Sequence, residues 1–391
     1  MVLVALLVTA PDGWTKGRPD PPSSDPKVLR VGSARALTSV LQASRIARDG
    51  DVVEIDAGDY PDDAASWPQN NLTIRAVGGR ARLVATNTIA EGKAIWVVKG
   101  NNIVVENIEF SGARSPHQNG AGIRHEGGLL TVRRCRFERN EMGILTWNNA
   151  AAELVVEASE FRDNAVAPEY QREGSIGHQI YVGTIRSFTL RDSYVHRGAT
   201  GHLVKSRARE NRIFYNRITD EAAGSSSYEI DFPNGGIAYV LGNIIEQSAR
   251  TENAVMVAVG AEGYKWPRTE LYLLNNTLVD NFHGGGHFLR VWPGADRVMV
   301  VNNLLVGPTT ISQYGPGTYA RNFNARSLDF RSAVDFDFRL DAKARQVGMA
   351  VDPGTANGVR LRPQREYVQP LRSRPVPKGP YSPGALQSLA R

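Results

Sequence analysis

Cysteine is nearly absent from this 391-residue chain: Cys135 stands alone, so no disulfide can form within the chain. Long apolar runs are absent as well. The apolar stretch at residues 1–10, MVLVALLVTA, is too short to cross a bilayer, so we expect no membrane span. It resembles the end of a secretory signal, with Ala10 as the cleavage edge and the true start upstream. We therefore expect residues 1–26 to be a signal-like segment and linker of a secreted or periplasmic protein.

A concentrated run of one charge is also missing. The formal net charge is +6, and the basic residues are spread along the chain instead of forming a tail. This distribution argues against nucleic acid as the partner. The positive sign suits another polyanion, and an anionic glycan (an acidic polysaccharide) and an anionic membrane surface both fit it. We expect the protein to be a monomer.

A short element recurs through the chain: a small or amide residue, a variable residue, then a large apolar residue. Its first positions are Cys135, Ser159, Ser193, Asn216, Asn243, Asn276 and Asn303, with an earlier variant at Ile108. Successive first positions are 24, 34, 23, 27, 33 and 27 residues apart. A period in the mid-twenties with insertions predicts stacked coils of short strands. Asparagine at one position of successive coils predicts a ladder of stacked amides with a structural role.

The regions that flank the repeat predict its ends. Residues 34–48 place apolar side chains at helical spacing, which predicts an N-terminal capping helix over the first coil. We predict that the coils occupy residues 27–310. Residues 311–391, rich in Pro, Gly and Arg toward the end, are expected to form an extended C-terminal segment that packs on the coils.

Three features together resemble a known family: the helix followed by GDVVEIDAGDY, the Asn-x-apolar coils and the closing REYVQPL. They resemble the secreted pectate-lyase-like proteins over roughly residues 30–375. The resemblance implies an all-β fold, a right-handed parallel β-helix (a solenoid). It also suggests the polysaccharide lyases that act on uronic-acid polymers, although the same fold hosts hydrolases, esterases, epimerases and phage tail-spikes.

Five segments align without gaps around one strand and predict a functional face. The inward residues of this alignment are Ile180, Val204, Ile230, Met256 and Leu289. Because side chains alternate along a strand, the next residues point outward together. These are Tyr181, Lys205, Asp231, Val257 and Arg290, followed two positions later by Gly183, Arg207, Pro233, Val259 and Trp292.

Tyr181, Lys205 and Arg207 are therefore predicted to converge, and they suit β-elimination from a uronate. Arg207 neutralises the sugar carboxylate, Lys205 removes the proton, and Tyr181 serves the leaving oxygen, with the last two roles exchangeable. Arg290, Asp231 and Trp292 are predicted to assist substrate binding. The alternative is that Lys205 and Asp231 form only a surface ion pair.

Histidines and loop aromatics complete the prediction. His178, His202 and His287 follow a glycine at one coil position, with Tyr228 in the intervening coil. Parity places them in an inward ladder or at the corner where the strand begins, and His202 is predicted to assist catalysis if that corner opens. We assign His178 and Tyr228 to substrate binding. Insertions at 146–176 and 258–270 carry cleft-wall candidates, namely Trp147, Tyr170, Arg172, Tyr264, Lys265, Trp266 and Arg268.

Signatures of other members of the fold class are missing. The sequence lacks the Asn-Thr-Asp, Asp-Asp and Arg-Ile-Lys motifs of polygalacturonase-like hydrolases and the Asp-Pro-His-Asp motif of alginate epimerases. Only Asp231 and Glu229 lie near the cluster, so we predict no metal site and no cofactor, with a weakly held calcium left open. The leading hypothesis is a polysaccharide lyase acting on a uronate polymer such as alginate. The alternatives are a glycoside hydrolase that uses Asp231 with Glu229 or Glu126, and a non-catalytic glycan-binding surface solenoid.

Overall fold

In a computed structural model that describes residues 26–167, 176–311 and 317–390, the chain winds into coils of short parallel strands. Each strand pairs with the equivalent strands of the coils before and after it. The fold is a right-handed parallel β-helix, which confirms the all-β solenoid prediction. The described part of the chain contains no helix long and apolar enough to cross a membrane. The signal-like segment predicted at residues 1–26 falls almost wholly outside the described residues.

Two parallel sheets form the walls of the solenoid, with strands numbered along the chain. The small sheet has ten strands: β3 (Ala65–Trp67), β5 (Ala94–Val98), β8 (Ala121–His125), β11 (Met142–Thr146), β14 (His178–Val182), β17 (Val204–Ser206), β20 (Ile230–Phe232), β23 (Val255–Val259), β26 (His287–Val291) and β29 (Thr310–Ile311).

The large sheet bends around the rest of each coil. Its strands are β1 (Val28–Val31), β2 (Val52–Pro61), β4 (Thr73–Val84), β6 (Ile103–Glu106), β7 (Ile108–Ser111), β9 (Leu129–Arg133), β10 (Arg136–Glu138), β12 (Asn149–Glu157), β13 (Glu160–Arg162), β15 (Ile185–Arg191), β16 (Tyr194–His196), β18 (Glu210–Phe214), β19 (Arg217–Thr219), β21 (Ile237–Leu241), β22 (Ile244–Gln247), β24 (Glu270–Leu274), β25 (Thr277–Asp280), β27 (Arg297–Val301), β28 (Leu304–Val306), β30 (Gly317–Ala320) and β31 (Phe323–Ala325).

The recurring apolar residues stack into the core. The third residue of each repeat pairs with its equivalent in the next coil, giving the buried row Phe110, Phe137, Phe161, Val195, Ile218, Ile245, Leu278 and Leu305. The rings of Phe137 and Phe161 stack with centroids 4.7 Å apart. This spacing matches the separation of adjacent strands, so the coils pack without a gap along the solenoid axis.

The predicted asparagine ladder is confirmed. The Asn216 side-chain amide donates to Asn243 Oδ1 at 3.0 Å, and the same contact links Asn243, Asn276, Asn303 and Asn322 in turn. Serine hydroxyls at Ser159 and Ser193 continue the row toward the N-terminus. Each buried amide from Asn216 to Asn303 therefore bonds the next coil, which satisfies polar groups that water cannot reach.

The capping helix is shorter than predicted. Helix α1 spans Val40–Ile46, within the predicted 34–48, and begins after Ser39, whose hydroxyl accepts the N–H of Gln42. Its first N–H groups are capped by the Asp63 carboxylate. The preceding residues are not helical because Leu37 bridges to Val31 of β1 and its carbonyl accepts the N–H of Gly32.

The coils continue past residue 310, where we had placed their end. Strands β30 and β31 pair with β27 and β28, so the last coil runs to Ala325. Beyond it lie two 3-10 turns (Ser327–Asp329, Ala333–Asp335) and three antiparallel pairs: β32 (Phe330–Ser332) with β33 (Asp337–Leu340), β34 (Thr355–Ala356) with β35 (Val359–Arg360), and β36 (Arg365–Val368) with β37 (Arg372–Pro375). Tyr367 and Ala385 of this segment pack against Ile244 and Leu304 of the coils.

Candidate active site on the small sheet

The outward face of the small sheet carries the predicted row. Tyr181 of β14 pairs with Lys205 of β17, which pairs with Asp231 of β20. Neighbouring strands of a sheet are about 4.8 Å apart, so three different functional groups lie on consecutive coils. Arg207 follows Lys205 by two residues and therefore lies on the same face.

The predicted register is wrong by one residue in the next coil. Ile230 pairs with Val257 rather than with Met256, so Ala258 replaces Val257 as the neighbour of Asp231. Val259 pairs with Val291, and both lie in the core. Val259 therefore points inward and does not lie outward beside Pro233 as predicted. All five residues of β23 are apolar and buried, so alternation in this strand could not reveal which residues face the core.

Tyr181, Lys205 and Arg207 form a tight group. Arg207 Nη1 donates to the Tyr181 hydroxyl, and the Arg207 guanidinium carbon lies 5.1 Å from the centre of the tyrosine ring. Lys205 Nζ lies 5.9 Å from the same centre. The Lys205 side chain is only 12% exposed and that of Arg207 18%, so both cations are largely withdrawn from water. The convergence predicted from the sequence is therefore present in the fold.

A loop carboxylate that the sequence analysis missed joins both cations. Glu262 accepts from Arg207 through Nε at 3.1 Å and Nη2 at 2.7 Å, and from Lys205 Nζ at 3.0 Å. Burial would raise the pKa of Glu262, but these hydrogen bonds outweigh it and lower the pKa. Glu262 sits in an insertion where we considered only aromatic and basic residues. Its signal was available: an acidic residue between Gly260 and Gly263, opposite a basic wall.

Asp231 and His202 have strongly perturbed electrostatics. Asp231 is 2% exposed, and burial raises the pKa of its carboxyl to about 7, although Lys205 at 3.8 Å opposes the shift. Burial and then the Lys205 charge lower the pKa of His202 to about 3, so this imidazole is neutral at pH 7. His202 Nδ1 lies 3.2 Å from Asp231 Oδ2. A carboxyl that titrates near neutrality beside a neutral imidazole is typical of functional sites.

Of the predicted histidine ladder, His178, His202 and Tyr228 stack, but on the site side of the sheet. Ring centroids are 4.9 Å apart between His178 and His202 and 4.8 Å between His202 and Tyr228. His178 also contacts the Tyr181 ring, at 5.1 Å, and its Nδ1 accepts the N–H of His202. The inward alternative is wrong, because the strand begins with two consecutive inward residues, as at Leu203 and Val204.

The two consecutive inward residues at the start of each strand also place Glu229 in the core, away from the site. Its backbone hydrogen bonds link it to Val204 and Met256 in neighbouring coils, both of which lie in the core. Glu229 is 0% exposed, and burial raises the pKa of its carboxyl well above the usual value. Glu126 is also distant, since it follows β8, four coils or about 19 Å from β20. Neither residue is placed to work with Asp231 as the predicted hydrolase pair.

The remaining predicted residues lie at the border of the cluster. Arg290 is in the Asp231 row but three coils, about 14 Å, from Lys205, and its guanidinium lies 4.5 Å from the centre of the Trp292 ring. Trp266 donates its indole N–H to the Arg207 carbonyl at 3.0 Å, so it supports the cluster from the loop. Tyr170 and Arg172 lie outside the described residues.

The residues near the cluster do not fit a calcium ion. Asp231 faces Lys205 and His202, and Glu262 is held by two cations, so neither carboxylate has oxygen atoms directed to a shared centre. Among the residues that the structure describes, no three His, Cys, Asp or Glu side chains are grouped so as to hold a metal ion.

Comparisons with known proteins identify the fold. No protein-family model and no curated protein matches the sequence. A solved structure, the crystal structure of pectate lyase Pel9A, matches with a TM-score of 0.61 and 14% identity, over 86% of this chain and 94% of that chain. A pectin methylesterase from Aspergillus niger matches with a TM-score of 0.27 and 12% identity over 79% of this chain and 88% of its own, too weakly to carry an argument. The chain therefore has the pectate-lyase-like right-handed β-helix fold.

Proposed function

We propose that this protein is a polysaccharide lyase that cleaves a uronate-containing polymer by β-elimination. The proposal rests on one observation: Arg207 and Lys205 both donate hydrogen bonds to the Glu262 carboxylate, directly beside Tyr181. A planar carboxylate already fits between these cations, so a uronate carboxylate has a matching place there once Glu262 moves aside.

The exposure of the Glu262 side chain supports such a movement, while backbone hydrogen bonds hold the loop itself to Phe232 and Pro233. The Glu262 side chain is 41% exposed, and the loop carries glycines with positive φ at Gly260 and Gly263. Gly263 has no other atoms within 4 Å of the position of an added Cβ, so one side of the loop is open. An incoming uronate can exchange with Glu262 at little cost, because the ion pairs lost with Glu262 are replaced by equivalent pairs with the substrate.

The reaction requires three groups around one sugar unit. Arg207 holds the uronate carboxylate and so acidifies the C–H bond next to it. A base removes that proton, the C–H electron pair forms a C=C bond, and the bond to the neighbouring glycosidic oxygen breaks. An acid then protonates the departing oxygen, which leaves one unsaturated and one ordinary chain end.

The contacts favour Tyr181 as base and Lys205 as acid, the exchange that the sequence left open. Arg207 donates a hydrogen bond to the Tyr181 oxygen, which holds this oxygen beside the place proposed for the uronate carboxylate, where the base must accept the proton. Lys205 Nζ lies 3.0 Å from Glu262 and 3.8 Å from Asp231, so its N–H groups point into the space beside Tyr181 and can serve the departing oxygen. Asp231 contacts both Lys205 and His202. The rings of His178 and Tyr228 each pack against the His202 ring.

The test is incubation with alginate, polygalacturonate and glycosaminoglycans, with and without added calcium. We expect the ultraviolet absorbance of a conjugated unsaturated product from one of these polymers. New reducing ends without that absorbance would contradict elimination. Binding without any new chain ends would instead support the non-catalytic solenoid.

A glycoside hydrolase is the second candidate, and a specific observation favours it. Asp231, with a pKa of about 7, and Glu262, with a lowered pKa, both contact Lys205 and so form an acid and base pair of unequal strength. The 2% exposure of Asp231 weighs against it, because a general acid must reach the glycosidic oxygen. The product assay above separates the two reactions.

A further inference from the structure

The outward row of the small sheet continues beyond Tyr181 toward the N-terminal coils. Tyr181 pairs with Leu145 of β11, and Leu145 pairs with Arg124 of β8. Arg124 therefore lies two coils, about 10 Å, from Tyr181 on the same face. The buried Leu145 between them gives this part of the face an apolar floor.

Trp147 stands beside this floor with its ring largely in solvent. It is 57% exposed, and the Arg124 guanidinium carbon lies 5.2 Å from the ring centre. An indole face and a guanidinium so close together match the two sides of a uronate, because the aromatic face packs on the apolar face of the sugar and arginine pairs with its carboxylate.

A glycine keeps the space next to Trp147 open. Gly183 occupies the coil between Trp147 and Arg207, at the position where Arg207 carries its side chain. A Cβ on Gly183 would lie 2.5 Å from Asn148 Oδ1, so a larger residue would intrude on this gap. The result is a pocket of about 190 Å³ lined by Arg124, Leu145, Trp147, Asn148 and Tyr181 among others. Tyr181, the proposed base, forms part of the wall of this pocket.

The charge around Arg124 is incompletely balanced. Arg124 lies 3.4 Å from Glu126, which Lys93 also contacts at 2.9 Å. Lys93 and Lys99 share the second carboxylate of the group, Glu91. Three cations thus meet two carboxylates, and the group attracts a further anion.

We propose that Arg124 and Trp147 form a second uronate-binding subsite, for a unit of the same polymer further along the chain from the one held by Arg207. This inference rests on the proposed function for the identity of the substrate. The subsite makes the protein select acidic polymers over single acidic sugars, since both ends of a bound segment meet an arginine.

The test measures binding against chain length in a Lys205→Ala host, which the proposed mechanism makes inert. Titration calorimetry uses oligogalacturonates and oligomannuronates from the dimer to the octamer. In the host, affinity should rise steeply once the oligomer spans both arginines. Adding Trp147→Ala should weaken binding of the long oligomers about tenfold and leave the dimer unchanged. Arg124→Ala should do the same, and Trp147→Phe should restore part of the loss.

Controls separate this subsite from folding and from the proposed reaction. Trp147→Ala should have the same melting temperature as the host, since the ring is mostly in solvent. Arg212→Ala on the large sheet should bind oligomers of every length as tightly as the host does. Equal losses at all lengths, no loss at any length, or a host that binds none of the oligomers would each overturn the subsite. Unchanged length dependence beside measurable elimination would overturn the subsite alone. A length-dependent loss without elimination by the wild type would overturn only the lyase reaction.

Discussion

The row through Glu157 on the large sheet and the row through Lys205 on the small sheet both present charged residues to the outside, but they hold them differently. On the large sheet, Arg133 and Arg191 flank Glu157 across successive coils, and the arginine side chains are 45% and 44% exposed. On the small sheet, the Lys205 and Arg207 side chains are no more than 18% exposed, and Asp231 is 2% exposed. The first arrangement leaves its cations in water, whereas the second takes several charges out of water beside a phenol.

That difference separates a solvated surface from a site. Exposed ion pairs contribute little to stability and change no chemistry, because water screens them. Buried charges lose hydration, which destabilises the fold unless their partners compensate. The small sheet accepts this loss at Lys205, Arg207 and Asp231 and the Arg133–Glu157–Arg191 row does not, which supports the proposal that the small-sheet row is the functional one.

The largest expected effect is on turnover. Tyr181→Phe and Lys205→Ala should each lower kcat by about 100-fold or more, because each removes a proton-transfer group. Arg207→Ala should also weaken substrate binding, since the carboxylate contact exists before and during the reaction. Arg191→Ala on the large sheet is the matched control and should keep full activity. If Lys205→Ala retained activity while the protein melted much lower, the site would be structural.

The next effect is the dependence of stability on pH. The folded pKa of Asp231, about 7, lies above its usual 3.8, so its stabilising contribution is complete below about pH 4 and is lost as the pH rises through about 7. The melting temperature of Asp231→Asn should therefore lie a few degrees above that of the wild type at pH 8 and equal it at pH 4. Glu54 on the large sheet has the opposite sign, because the Arg75 hydrogen bond lowers its pKa. A wild-type melting temperature that rose toward pH 8 relative to Asp231→Asn would contradict the burial argument.

A smaller effect concerns the exchange of Glu262 for substrate. Glu262→Gln removes the competing charge, so affinity for uronate oligomers should rise about three- to tenfold, as measured by titration calorimetry. Glu153→Gln, which removes a carboxylate paired with Arg186 on the large sheet, should leave affinity unchanged. A loss of affinity in Glu262→Gln would mean that this residue positions the cations instead of occupying the substrate's place.

The smallest effect is expected on the large sheet itself. Arg133→Ala removes an exposed partner of Glu157, which keeps Arg191, so the free energy of unfolding should fall by less than about 1 kcal/mol. Chemical denaturation measures this change. A loss of several kcal/mol would show that the outer rows of the two sheets are not as different as their exposure indicates.

Periodicity in the sequence predicted the structure best where each coil repeats the one before it. The Asn216 to Asn303 spacing predicted the ladder, and the period-two rule placed Tyr181, Lys205 and Asp231 on one face. It failed where a strand is apolar on both faces, as in β23, and where two inward residues follow each other at a corner, as at Leu203. Glu262 was missed because a loop's path across the wall depends on tertiary contacts that no repeat encodes.

The amide ladder also determines how the solenoid comes apart. The strands of each coil pair only with those of its two neighbours, so the free energy of folding of the walls is close to a sum of per-coil and nearest-neighbour contributions, to which the loops and the C-terminal segment add contacts across several coils. Asn276 donates to Asn303 and accepts from Asn243, and replacing it interrupts the coupling in both directions at once. We expect this substitution to lower the free energy of unfolding and to weaken the cooperativity between the coils on its two sides. Strands β14, β17 and β20, which carry the candidate site, all lie before this position, so we expect the site to be less affected by local opening of the C-terminal end.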